Sequence, residues 1–155
     1  MTGTITVNGA RLKVDFDPTA TLLDVLRSNG HTEVKRGCSS GECGSCIVLL
    51  DDALVNSCQV FAATVLGRRV TTSSGLRDDG RPHIIHQAFA DTGAVQCGFC
   101  TPGMVTATYA LLTANPNPTD EEINTGLSGN LCRCTGYVKI VDAVKLAAKR
   151  MQEDE

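Results

Sequence analysis

Polar and apolar residues alternate over Thr4-Ile5-Thr6-Val7 and again over Arg11-Leu12-Lys13-Val14-Asp15-Phe16, the period of half-buried strands. Asn8-Gly9 stands between them. A type I′ turn needs two consecutive residues at positive φ, which this pair tolerates, so a β-hairpin is predicted. Leu22, Leu23, Val25 and Leu26 then share one face of a short helix, with Thr21 placed to cap it and Gly30 to end it. Ile47-Val48-Leu49-Leu50 reads as a buried strand followed by a turn at Asp51-Asp52. Gln59 to Leu66 reads as a short helix, and Arg69-Val70-Thr71 as a closing strand. The first half is thus a small mixed sheet laid over one helix.

Beyond residue 82 the period changes. Pro82 suits the first turn of a helix that runs to Asp91 and ends at Gly93. Thr101-Pro102 caps and starts a second, whose Met104, Val105, Ala107, Thr108 and Leu111 fall on one face, and Asn115-Pro116-Asn117-Pro118 breaks it. Thr119 caps a third, with Asp120, Glu121 and Glu122 in its first turn favouring the positive end of the helix dipole. Tyr137, Ile140, Val141, Val144, Leu146 and Ala147 form the stripe of a fourth. Four helices with short connections predict a bundle. The polar stretch from Thr71 to Pro82 reads as the linker between halves.

Composition narrows the function. The 155 residues carry 14 Lys+Arg against 17 Asp+Glu, a net charge of −3. No basic stripe exists to bind nucleic acid by counterion release. No apolar run approaches the roughly 20 residues of a membrane helix. Met1 to Arg11 lacks the apolar core of a signal peptide, which points to the cytoplasm. Eight cysteines in such a chain argue for metal or redox chemistry rather than disulfides, because the cytosol keeps thiols reduced.

The cysteines form two sets of four. Cys38, Cys43, Cys46 and Cys58 are spaced four residues and then two, with the last thiol further on, the plant-type ferredoxin arrangement for a [2Fe–2S] cluster. The neighbours suit that chemistry. Two ferric ions, two sulfides and four thiolates carry a charge of about −2, and one electron takes it to about −3. Gly37, Gly41 and Gly44 allow a loop to turn its N–H groups toward such an anion, and Ser39, Ser40 and Ser45 add hydroxyl donors. Zinc does not need three glycines in an extended loop. The second set pairs Cys97-Gly98-Phe99-Cys100 with Cys132-Arg133-Cys134, each pair ahead of a helix, where dipole ends favour an anion. Gly98, Gly129 and Gly136 permit close backbone approach. On spacing alone, structural zinc fits this second set as well as iron does. A His-ligated cluster lacks its paired ligands; His83 and His86 read as surface or cap residues, and His31 as a loop residue. Arg133 reads first as a positive charge that offsets the cluster beside it, and second as a residue that faces a partner.

Four runs together carry a resemblance: Gly-Cys-Ser-Ser-Gly-Glu-Cys-Gly-Ser-Cys at 37–46, Asn-Ser-Cys at 56–58, Gln-Cys-Gly-Phe-Cys-Thr-Pro-Gly-Met at 96–104, and Gly-Asn-Leu-Cys-Arg-Cys-Thr-Gly-Tyr at 129–137. Over nearly the whole length the chain resembles the small iron–sulfur subunit of the molybdenum hydroxylases, a family that includes xanthine dehydrogenase and aldehyde oxidoreductase. The resemblance implies an α+β chain: a plant-type ferredoxin β-grasp domain over residues 1–76, then a four-helix bundle over residues 82–155 that binds the second [2Fe–2S] cluster. It further implies a large molybdopterin-binding subunit and a medium FAD-binding subunit as partners, assembled as a dimer of heterotrimers. Electrons would pass one at a time from molybdenum through the two clusters to the flavin. Gln96 matches a glutamine that contacts the pterin, and Cys134 the cluster ligand nearest the pterin amino group. This chain would perform no substrate chemistry itself. A zinc-stapled interaction module and a free-standing ferredoxin remain the alternatives.

Overall fold

The computed structural model describes residues 1–153; the last two positions of the 82–155 half, Asp154 and Glu155, lie outside the described residues. Strands β1 (Thr2–Val7) and β2 (Ala10–Asp15) form the expected antiparallel hairpin, with Ile5 opposite Leu12 and Val7 opposite Ala10. Asn8 and Gly9 sit at φ 50° and 81°, as a type I′ turn demands. Helix α1 (Leu22–Ser28) begins with a reciprocal capping box: the Thr21 hydroxyl accepts from the Asp24 N–H, and the Asp24 carboxylate accepts from the Thr21 N–H.

Strands β3 (Ile47–Leu50), β4 (Ala53–Asn56) and β5 (Arg69–Thr71) complete a five-stranded sheet of order β2-β1-β5-β3-β4. The β1–β5 pair is parallel and the other pairs antiparallel. Successive strand residues face opposite ways, and β3 uses both faces. Val48 and Leu50 join Ile5, Val14 and all four apolar residues of α1 in one core, whereas Leu49 turns to a second core built by the helical half.

That half holds α2 (Ile84–Asp91), α3 (Thr101–Ala114), α4 (Asp120–Gly126) and α5 (Val138–Glu153). Ile85, Phe89, Met104, Leu112, Ile123 and Ile140 are its largest buried side chains, each at most 1 % exposed. Truncating the Phe89 ring to alanine would cost about 3–5 kcal/mol by lost burial and the cavity left behind. Arg150 reaches Asp91 at 2.7 Å, tying α5 to α2, and Lys145 reaches Asp120 at 2.7 Å, tying it to α4.

Four expectations change. The stretch 71–82 is not a loose linker: Thr72 is fully buried, Ser73–Gly75 makes a 3-10 turn, and β6 (Arg77–Asp78) pairs with β7 (Arg81–Pro82). Pro82 therefore lies in a hairpin, and His83 caps α2 by accepting the Ile85 N–H at Nδ1. Helix α3 starts behind Cys100 rather than behind a Thr101 cap, and no side chain caps it. The predicted helix Gln59–Leu66 is two 3-10 turns, Ser57–Gln59 and Ala62–Val65, split because Leu22 N–H takes the Val60 carbonyl and Ala62 N–H the Ala20 carbonyl.

Candidate metal centres

The loop between α1 and β3 carries Cys38, Cys43 and Cys46, and the turn after β4 brings in Cys58. Sulfur Sγ of Cys38 accepts the backbone N–H groups of Ser40 and Cys43, each at 3.4 Å. The Ser40 hydroxyl and these amides hold its thiol down to about 6, the signature of a preformed anion site. Cys46 and Cys58 lie deeper, 2 % and 7 % exposed. Burial pushes the Cys46 thiol up to about 11, so it ionises at neutral pH only against a bound cation. Gly37 is needed for space, since a Cβ there would stand 2.6 Å from Cys43 Sγ. Asn56 Nδ2 donates to the Gly41 carbonyl at 3.0 Å, and the Ser57 hydroxyl to the Cys46 carbonyl at 2.7 Å, pinning the loop from the β4 side.

In the second set, Cys97 and Cys100 come from the turn before α3, and Cys132 and Cys134 from the α4–α5 loop. Cys97 Sγ and Cys134 Sγ are 3.5 Å apart. A tetrahedral ion with metal–sulfur bonds of about 2.3 Å would space two of its thiolates by ~3.8 Å. The Phe99 N–H and the Cys134 thiol hold Cys97 low, and the same contact raises Cys134. Burial and the neighbouring Cys132 push Cys100 up to about 12. Burial acts against Cys132 as well, but the Thr135 hydroxyl at 3.2 Å and nearby backbone amides outweigh it and bring that thiol to about 7. Tyr137, at φ 70°, aims its hydroxyl to accept the Cys132 N–H at 2.9 Å.

All eight cysteines are free, and they meet in twos: Cys38 with the Cys43 amide, Cys46 with Cys58, Cys97 with Cys134, Cys100 with Cys132. Among the described residues no three Cys, His, Asp or Glu side chains close around one point. Cysteines that meet in twos fit a binuclear cluster, one iron to a pair; in the second set each pair joins a lowered thiol to a raised one.

The two sets are neighbours. Six of the eight cysteines, all but Cys46 and Cys58, line one cavity of about 290 Å³, together with Phe99, Leu131 and Arg133. A larger hollow of about 420 Å³ over β1 and β2 carries no thiol or imidazole. The loops are tied directly: Leu131 N–H donates to the Cys43 carbonyl at 3.0 Å, and buried Asn130 Nδ2 to the Gly44 carbonyl at 3.3 Å. Gly44 and Gly103 make this contact possible; a Cβ on either would stand 2.3 Å from a facing carbonyl oxygen. Gly129 offers only its carbonyl here, since a Cβ on it would meet nothing within 4 Å.

Gln96 is exposed beside Cys97. Of the eight exposed large hydrophobics, Val95, Phe99, Leu131, Tyr137 and Val138 flank the second cysteine set. Histidines play no part: His83 stacks edge-on against Tyr109 with ring centroids 5.1 Å apart, His86 meets the Ser73 carbonyl, and His31 meets Glu33. The sequence reading missed Gln59, Asn130 and Thr135 as contributors. Gln59 and Thr135 each carried a local signal, a polar side chain directly after a cysteine.

Comparison with known proteins agrees with this geometry. Residues 5–69 match the family described as the 2Fe-2S iron-sulfur cluster binding domain, and residues 72–145 the [2Fe-2S] binding domain. The nicotinate dehydrogenase small FeS subunit of Eubacterium barkeri is 47% identical over 147 residues, covering 94% of each chain. The xanthine dehydrogenase iron-sulfur-binding subunit of Escherichia coli is 46% identical over 142 residues, covering 90% of this chain and 89% of its own. The crystal structure of quinoline 2-oxidoreductase from Pseudomonas putida 86 contains a chain that superposes with a TM-score of 0.93 at 37% identity, covering 100% of this chain and 98% of that one.

Proposed function

The chain belongs to the small [2Fe–2S] subunits of the molybdenum hydroxylase family, and from that premise we propose that it relays electrons one at a time between the molybdopterin site of a large subunit and the FAD of a medium subunit. Cys38, Cys43, Cys46 and Cys58 would hold one cluster, and Cys97, Cys100, Cys132 and Cys134 the other. When bound, each cluster takes up and returns a single electron, which suits a chain set between two sites that exchange electrons in pairs.

One observation carries the reading: the whole second thiolate set and Cys38 and Cys43 of the first line one cavity, and the two loops are joined by the hydrogen bond from Leu131 N–H to the Cys43 carbonyl. A path from Cys43 to Cys132 thus crosses one hydrogen bond and one residue. A zinc-stapled module needs no such proximity, and a free-standing ferredoxin needs no second set or helical half.

The ends of the relay face outward. Gln96, Cys134 and the apolar residues Phe99, Leu131 and Val138 form the face we assign to the large subunit, with Gln96 meeting the pterin. A partly apolar patch with polar residues among it suits a protein interface. Phe61, 59 % exposed and three residues beyond Cys58, marks the face assigned to the medium subunit. Among the described residues no helix is long and apolar enough to cross a membrane. We place the assembly, a dimer of heterotrimers, in the cytoplasm, where eight thiols stay reduced until metallated. The four helices act as a bundle that fixes the second set against the first.

The test is Cys46→Ser in the full complex. Substrate should still reduce the helical-half cluster, with its EPR signal intact, while flavin reduction stops. Flavin reduction at the wild-type rate would show that electrons bypass this chain.

A further inference from the structure

We propose that Gln59 sets the reduction potential of the cluster held by Cys38, Cys43, Cys46 and Cys58, as a positioning residue that acts through the Cys58 sulfur. This rests on the reading that the first cysteine set holds a [2Fe–2S] cluster.

Gln59 ends the 3-10 turn Ser57–Gln59, directly after Cys58. Its Nε2 lies 2.9 Å from the Ser39 carbonyl, 3.2 Å from the Cys58 carbonyl and 3.3 Å from Cys58 Sγ. Two of these partners are carbonyl oxygens, which accept only. They settle which end of the amide faces the loop: it must be the NH₂ group, not the oxygen. One hydrogen is spent on Ser39, and the other is shared between the carbonyl and the sulfur of Cys58. Ser39 holds φ 62° in the cysteine loop, so the same contact clamps the loop whose neighbour is Cys38.

The first set has other donors to sulfur, but of a different kind. Cys38 Sγ accepts from two backbone N–H groups, which the fold supplies whatever the side chains are. The contact between Cys46 Sγ and Asn56 Oδ1, at 4.0 Å, offers sulfur an acceptor rather than a donor. The Ser40 hydroxyl also favours the Cys38 thiolate, but Cys38 is exposed; Gln59 donates from its side chain to a buried sulfur, Cys58 being 7 % exposed.

Reduction adds one electron and raises the negative charge on the coordinating sulfurs. A donor hydrogen bond gains strength with that charge, so Gln59 favours the reduced form and raises the potential. Removing it should lower the equilibrium ratio of reduced to oxidised cluster about tenfold at fixed poise, a fall of about 59 mV for a one-electron couple.

The experiment is a mediated redox titration of the full complex, followed by EPR, on wild type, Gln59→Leu, Gln59→Glu and Gln59→Lys. Leu keeps bulk and removes the donor; Glu replaces it with an acceptor and a negative charge; Lys supplies a positive donor. The first-set potential should fall in Leu, fall further in Glu and rise in Lys, while the helical-half cluster, the internal control, keeps its own. A merely structural role would alter iron content or line shape without this ordering. An unmoved first-set potential in Leu and Glu, at full iron content, overturns the proposal and leaves the reading beneath it standing. A wild-type complex without a first-set signal overturns both. Should the variants load poorly, wild type labelled with ¹⁵N-glutamine decides: pulsed EPR should show hyperfine coupling from the amide nitrogen, and its absence overturns the proposal.

Discussion

Replacing Gly103 by alanine sets two effects against each other. Gly103 is the third residue of α3, where helix propensity alone favours alanine by up to about 1 kcal/mol. Its Cβ, however, would stand 2.3 Å from the Gly44 carbonyl oxygen and 3.3 Å from Asn130 Nδ2. Carbon and oxygen in ordinary contact are about 3.3 Å apart, so the Gly44 peptide must retreat by ~1 Å. That retreat strains the Asn130 bond to Gly44 and the Leu131 bond to Cys43, the two ties between cysteine loops. Overpacking of this kind costs about 1–3 kcal/mol, and a weakened hydrogen bond adds about 1. The net expectation is a loss of roughly 2 kcal/mol, a fall in Tm of about 4–8 °C for a chain of this size. Thermal unfolding followed by circular dichroism reads the loss, and the spin–spin splitting between reduced clusters reads the separation of the loops. Gly129→Ala serves as control, within about 0.5 kcal/mol of wild type. Gly103→Ala at or above wild-type stability would refute the packing argument, because propensity would then be the whole effect.

Other substitutions probe separate links. Thr119→Ala removes the hydroxyl that accepts the Glu122 N–H in the α4 capping box and should cost about 1 kcal/mol in urea unfolding. Gln96→Ala should leave both EPR signals and the iron content unchanged while slowing arrival of electrons from molybdenum in stopped-flow; unaltered kinetics would remove Gln96 from the pterin interface. Hydrogen bonding from Gln87 and the nearby Arg150 hold the Asp91 carboxyl below the usual carboxylate range. Its contribution is therefore present above the unfolded value near pH 4 and is lost as pH falls through the lower folded value. Asp91→Asn should flatten the stability profile below about pH 4, and an unchanged acid limb would remove this pair from the account.

What could be read from sequence divides by range. The Asn8-Gly9 turn and the Thr21 and Thr119 caps depend on residues at most four apart, and each appears where pattern placed it. The stretch 71–82 misled because its partners are distant: the Thr72 N–H donates to Asn8 Oδ1, and its hydroxyl to Glu33, 64 and 39 residues away. A polar sequence with remote acceptors looks like a solvated linker. The same holds at the metal centres. The thiol spacing was local and visible, but the ties from Asn130 to Gly44 and from Gln59 to Ser39 span 86 and 20 residues. Gln59 stands next to Cys58, yet nothing local pointed to Ser39, nor to Gly44 as the partner of Asn130.

The central claim is that both thiolate sets hold iron, close enough for single electrons to cross between them. Metal analysis and EPR of the anaerobically isolated complex test it together. The account predicts about four irons and four sulfides per chain, and on reduction two [2Fe–2S] signals that split one another magnetically. Zinc in place of iron in either set, or two signals with no mutual splitting, would contradict it.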